Sequence, residues 1–285
     1  MVNRIFTSFF VLITLFLFNA CSSDSSEDIP TPPGSVDKTH TLLIYMMGDS
    51  NGLQPFMDKN IRQILSVLDQ KPDNGRIALF YDQGNYTRLT ELVIENGVGR
   101  QELLAEYPIN ETTANPDFMR LVFKAVKENL PSDSYGLVLS SHGGGWVPAN
   151  VFDAHIAESE QKLYQENSRF FGQDKSECME LPEIASVLKD FTFDYILFDA
   201  CFMASVEGLY DLRNCTDYVI ASSAEVVGNG FPYAEILPYF FQGDLGLKKI
   251  CEEYMKYYRE GNADWVSATI SLIDMKSMDE LAEAT

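Results

Sequence analysis

The sequence predicts an α/β fold, a mostly parallel sheet covered by helices on both faces. Three observations lead there. Several runs are apolar at every position rather than at alternate ones, as strands buried on both faces are. Between them lie stretches with apolar residues three and four apart, the spacing of amphipathic helices. The two kinds alternate along the chain, the order in which parallel strands are joined. With 285 residues, 46% of them hydrophobic, the chain has the means to bury one large core.

The elements follow in order. Residues 1–20 carry Arg4 and an apolar run over 9–18, and lead into Phe18-Asn19-Ala20-Cys21. That run is shorter than the roughly 20 residues a bilayer span needs, so it reads as a secretory signal. A cysteine at the cleavage point, followed by Ser-Ser-Asp-Ser-Ser-Glu-Asp, resembles a bacterial lipoprotein signal, although Phe18 stands where leucine is usual. The expectation is a lipid on Cys21, and through it a membrane anchor in the bacterial cell envelope, with plain secretion as the alternative. Residues 21–38 are acidic and rich in Pro and Ser, the composition of a tether. The folded domain is expected over 39–285.

Residues 41–47 open that domain as a buried strand, and 77–81, 137–140 and 195–198 repeat the signature. Residues 219–221 and 268–273 are further strands. Helices are expected over 56–68, 116–130, Leu181–Leu188 and 247–258, each with an apolar face. Residues 87–107 alternate around Asn96-Gly97, the dipeptide of a tight hairpin turn. From 147 to 179 the periodicity is weak and polar residues are many, so a long structureless insertion is expected there.

Charge narrows the partners. The net charge of −21 comes from 42 acidic and 21 basic residues. It repels a phosphate backbone and argues against nucleic acid, while it attracts cationic peptides. The five cysteines show no C-x-x-C spacing, so no metal site is expected of them. Cys178, Cys215 and Cys251 read as small buried hydrophobes.

An open parallel sheet binds its ligands at the carboxyl ends of its strands. Two strands end there in chemistry: one in Ser140-Ser141-His142-Gly143-Gly144-Gly145, the other in Phe198-Asp199-Ala200-Cys201. A histidine and a cysteine at one sheet edge form a base and a nucleophile, the imidazole taking the thiol proton. Glycines after the histidine free backbone N–H groups for an oxyanion. Asp199, two residues before Cys201, falls on the same side of its strand and suits a bidentate contact with a guanidinium.

Ser141-His142-Gly143-Gly144-Gly145-Trp146 and Phe198-Asp199-Ala200-Cys201-Phe202-Met203 resemble the two signature segments of the clostripain family of cysteine peptidases. Similarity extends to residues 45–53, Leu181–Leu188 and 221–233, so that it covers roughly 41–285. The resemblance implies a caspase-like α/β/α sandwich and an endopeptidase that cleaves peptides and proteins after Arg or Lys through a thioacyl-enzyme. It assigns His142 and Cys201 as the catalytic pair and the N–H groups of Gly143 and Cys201 as the oxyanion hole. Asp199 falls on the acidic residue that receives the substrate's basic side chain, and Asn51 on a position lining that pocket. Some relatives need calcium, which here has no EF-hand spacing and no residues assigned. The resemblance also implies a zymogen that cuts itself after a basic residue between the two catalytic strands, which offers Lys162, Arg169 and Lys175. Members usually run on beyond a helix such as the one opening at 277–282, so the chain reads as truncated at Thr285.

Two rivals stand beside this reading. Gly48-Asp49-Ser50-Asn51-Gly52 matches the G-x-S-x-G nucleophile elbow, which would make Ser50 the nucleophile of a serine hydrolase. It follows the first strand, however, whereas that fold sets its elbow deep in the sheet. An Asp-x-x-His partner occurs only upstream, at Asp37-Lys38-Thr39-His40. The other rival is a non-catalytic envelope binding module on the same fold.

Overall fold

Five of the apolar runs lie side by side as parallel strands. In the computed structural model, which describes residues 38–49, 52–145, 170–175, 177–261 and 267–284, they are β1 (His40–Met47), β2 (Gly75–Asp82), β5 (Ser134–Ser140), β8 (Phe193–Asp199) and β9 (Thr216–Ala221). Antiparallel strands flank them. β3 (Thr87–Glu95) and β4 (Val98–Tyr107) form a hairpin beside β2, and β10 (Ser271–Asp274) pairs with β9. The order is β10-β9-β8-β5-β1-β2-β3-β4. Asn96 and Gly97 join the hairpin with φ of 55° and 76°, the paired positive values a type I′ turn demands.

Helices cover both faces. α2 (Pro116–Asn129) and α3 (Leu181–Leu188) pack on one, with the short α4 (Val206–Leu209) and α7 (Met278–Ala284). α1 (Gln54–Ser66), α5 (Tyr233–Ile236) and α6 (Gly243–Glu260) pack on the other. Alternate residues of each central strand feed opposite cores: Leu43, Tyr45 and Met47 of β1 face the first, Leu42, Ile44 and Met46 the second. α2 starts where Asn115 Oδ1 accepts the N–H groups of Asp117 (2.9 Å) and Phe118 (3.2 Å), with Pro116 supplying the first helical φ. It then buries Phe118, Met119, Val122, Phe123 and Val126, the stripe its spacing requires.

One expectation changes. The 147–179 insertion is not structureless throughout: β6 (Phe170–Asp174) and β7 (Glu177–Glu180) form an antiparallel pair. Phe170, Phe171 and Met179 are buried, and that burial orders the hairpin where local pattern alone is too short to show it. His40, at the start of the expected folded domain, is the first residue of β1.

Candidate active site

β1 occupies the middle of the sheet, with β2 on one side and β5 on the other. The chain thus reverses direction across the sheet at β1, and a crevice forms at the carboxyl ends of such strands. β5 and β8 are neighbours in register, Ser140 opposite Asp199, and the Ser141 N–H donates to Asp199 O at 3.4 Å. His142 and Cys201 each follow two residues after that pair. Register alone therefore brings together two residues distant in sequence.

The turn carrying His142 is clasped from outside by β6. Gly172 N–H donates to His142 O at 2.9 Å, and Gly144 N–H donates to Phe170 O at 3.1 Å. Ser141 Oγ donates to Met47 O (3.3 Å) and accepts Gln173 N–H (3.1 Å), which ties the turn to β1 and β6 together. Glycine is required at 143 by space: a side-chain carbon there would stand 2.6 Å from Cys201 O and 2.9 Å from Met203 Sδ. The histidine turn can lie against the cysteine turn only because that carbon is missing.

Cys201 sits just past β8. Its Sγ accepts Val226 N–H at 3.3 Å and its S–H points to Val226 O at 3.6 Å. The next residue, Phe202, holds φ at 61°, a left-handed conformation costing a bulky residue on the order of 1–2 kcal/mol. Hydrogen bonds from Phe202 N–H to Ala224 O (3.0 Å) and Ala204 N–H to Ser222 O (2.9 Å) hold it there. Burial pushes the Cys201 thiol up, and the nearby Glu225 and Asp199 carboxylates push it further. Burial pulls His142 down. Both shifts favour the uncharged pair, a protonated thiol and a free-base imidazole. His142 Nε2 is buried and has no hydrogen-bond partner among the described residues.

A cavity of about 240 Å³ opens over these groups, lined by Ser141, His142, Asp199 and Cys201, by Asn60 of α1 and by Gly230 of the loop after β9. Asp199 is its buried acid. Tyr233 OH donates to Oδ2 at 2.9 Å, and the nearby Phe231 N–H and Ser140 hydroxyl also favour the carboxylate. Desolvation nevertheless raises its pKa to about 6. Every one of these donors is neutral. No arginine or lysine among the described residues pairs with it.

His142, Gly143, Asp199 and Cys201 are thus brought together as expected. Asn51, Ser50, Cys21, Lys162 and Arg169 lie outside the described residues. Lys175 turns the β6–β7 hairpin, its N–H bonded to Asp49 O (2.9 Å) and its Nζ to Ile109 O (3.2 Å). Reasoning from sequence missed Tyr233, Ser140, Val226 and Asn60. Asn60 alone left a signal, a polar residue on the apolar stripe of α1. Calcium finds no cage among the described residues. The buried pair Asp82 and Asp174 is already engaged by Thr87, Gly84 and Thr113, with Asp174 Oδ1 left over, against the six to eight oxygens calcium takes.

Known proteins are similar to this chain in sequence and fold. The Clostripain family model matches residues 44–285. Clostripain of Hathewaya histolytica is 24% identical over 222 residues, 69% of this chain and 41% of that protein. The chain therefore spans less than half the length of that relative. A secreted C11 cysteine protease from Bacteroides thetaiotaomicron, solved with an irreversible peptide inhibitor, is 30% identical, with a TM-score of 0.74 over 87% of this chain and 69% of that one. An inactive zymogen C11 protease from Parabacteroides distasonis is 32% identical, with a TM-score of 0.71 over 86% of this chain and 65% of that one. The sheet and its two helical layers are the caspase-like sandwich of these proteases. By the match along its sequence and by its fold alike, this chain belongs to the clostripain family.

Proposed function

We propose that the chain is a cysteine endopeptidase that cleaves after Arg or Lys, with Cys201 as nucleophile and His142 as general base and acid. Asp199 carries this reading: a buried carboxylate held by neutral donors, without a cation of its own, in the cavity that holds the thiol and the imidazole. A substrate guanidinium or ammonium supplies the missing charge, and the charge-assisted contact is sheltered from water. With the basic side chain seated, the thiol leaves Val226 and His142 accepts its proton. Sγ attacks the scissile carbonyl carbon, and the N–H groups of Gly143 and Cys201 receive the oxyanion. Collapse expels the amine, which takes the proton from His142, and leaves a thioacyl-enzyme. A water deprotonated by His142 then releases the acid and restores the thiol.

Further parts of the reading concern the rest of the chain. Cys21 carries the lipid, 21–38 is the tether, and 39–285 works at the envelope surface. Asn51 helps line the pocket. The zymogen cuts itself between the catalytic strands, after Lys162, Arg169 or Lys175; of these, Lys175 turns the β6–β7 hairpin and is engaged by Asp49 O and Ile109 O. A protease needs an extended, accessible stretch.

Fluorogenic peptides ending in Arg, Lys, Asn or Asp test the proposal. Turnover is expected for Arg and Lys alone and is abolished in Cys201→Ala. Full activity in Cys201→Ala overturns the nucleophile. A chain that cleaves none of the four, and whose Cys201 resists a thiol-reactive Arg peptide, is a binding module.

A further inference from the structure

Asn60 contradicts the logic of its helix. The buried positions of α1 are Met57, Asn60, Ile61 and Ile64, and a stripe at that spacing is ordinarily apolar throughout. Asn60 is 2% exposed. Its Oδ1 is shut off from solvent and accepts no hydrogen bond from any described residue. A buried amide oxygen in that state bears its full desolvation penalty with no bond in return. Leucine would fill the same stripe without that penalty.

The amide lines the cavity that holds Asp199 and Cys201. A side-chain carbon on Gly230 would stand 2.7 and 2.8 Å from the Asp199 carboxylate oxygens and 3.1 Å from Asn60 Nδ2. One point in space therefore touches both groups, and glycine, here with φ of 63°, leaves it empty. A half-turn of the amide exchanges Oδ1 and Nδ2 with almost no change of shape, so the oxygen can face that point.

Counting donors and acceptors shows what the point lacks. A carboxylate offers about four lone-pair sites; Tyr233 OH occupies one of those on Asp199, and the nearby Phe231 N–H and Ser140 hydroxyl also favour its charged form. An ammonium brings three donors and a guanidinium five. Asp199 alone cannot satisfy either, and the next side chain at that point is the Asn60 amide, whose Nδ2 faces it in the empty pocket and whose unpartnered Oδ1 faces it after the half-turn.

We infer that Asn60 is a specificity-determining residue, its side-chain carbonyl joining Asp199 in receiving the charged head of the substrate's basic side chain. The inference rests on the reading of Asp199 as the seat of that cation. It also explains why a polar residue persists on an apolar stripe: the bond it lacks in the empty pocket is made when substrate binds.

The test compares the full chain with its Asn60→Leu and Asp199→Asn variants on peptides that differ only in ending with Arg, Lys or norleucine, the last having a stem without donors. Asn60→Leu is expected to lose about 10- to 100-fold in kcat/KM on the Arg and Lys peptides, the range for a hydrogen bond to a charged group. It should lose little on norleucine, and its melting temperature should hold or rise. Asn60→Ala gives the same comparison should Leu not fold. Agmatine provides a reading without turnover: on the Cys201→Ala background its affinity should fall by a similar factor when Asn60→Leu is added. If the Asn60 variants keep the preference for Arg and Lys while Asp199→Asn loses it, Asp199 reads the charge alone and the inference fails. If the unmodified chain shows no preference for Arg or Lys over norleucine, it is the reading of Asp199 that fails.

Discussion

The sheet carries a half-buried histidine at each end, and the two live in opposite circumstances. At the amino end, His40 opens β1. Its Nδ1 lies 2.7 Å from Ser134 Oγ and its Nε2 lies 3.1 Å from Tyr195 OH, which in turn donates to Phe240 O at 2.8 Å. The ring stacks on Tyr195 and meets the edge of Phe241. Asp194 Oδ2 stands 4.0 Å from Nδ1, so this end holds a serine, a histidine and an aspartate in the composition of a hydrolase. At the carboxyl end, His142 is also half-buried and also depressed in pKa, yet its Nε2 bonds to nothing described. Residue type and burial do not separate the two. The difference is that every polar atom of the first ring is occupied, which makes it structure, while one atom of the second waits for a proton.

The largest expected effect would break this contrast if it were wrong. His142→Ala should lower kcat by about 10³-fold or more, as removal of a general base does, and barely move the melting temperature. His40→Ala should do the reverse, lowering unfolding free energy by about 2–4 kcal/mol through lost hydrogen bonds and a cavity, with turnover per folded molecule unchanged. Activity and thermal melts on both variants decide it. Equal loss of activity in both would erase the distinction.

A pH titration sharpens the same comparison. Burial holds His40 at about 4 in the folded chain, against 6.5 in a free imidazole. Between those values the unfolded chain has taken a proton that the folded one refuses. Stability from His40 is therefore complete above pH 6.5 and is lost as pH falls towards 4, by roughly 3 kcal/mol in all. Asp199, raised to about 6, works with the opposite sign in the same window. The difference between the unmodified chain and His40→Gln isolates the histidine, and urea melts at pH 4, 5, 6 and 7 should show that difference shrinking as acid is added.

The smallest effect concerns the thiol. Glu225 helps to hold the Cys201 pKa up, so Glu225→Gln should speed alkylation by iodoacetamide at pH 7 by about two- to fivefold, a fraction of one pKa unit. An unchanged rate would leave burial and Asp199 as the causes.

Much of this fold is legible in the order of the amino acids. The parallel strands announce themselves because burial on both faces leaves no polar positions, and the hairpin because Asn96-Gly97 tolerates the φ its turn needs. His142 and Cys201 can be named because they end such strands. Tyr233 cannot be named from its own segment, since it joins the cavity through the packing of a helix on the sheet, and Asn60 shows there only as a polar residue on an apolar stripe. The β6 clasp is hidden for a related reason: its partners are the backbone groups of His142 and Gly144, which any sequence possesses.

That clasp has a consequence for how the molecule is held together. The base comes from the half ending in β5, the nucleophile from the half beginning at β6, and residues 146–169 join the two along the chain. Across the divide run the β5–β8 ladder and the bonds from β6 to the histidine turn. What the link supplies is effective concentration. Were it severed, each half would keep its partner through buried strand pairing, and unfolding would become a dissociation whose midpoint depends on protein concentration. Dilution, as well as heat, would then separate the acid–base group from the sulfur it serves.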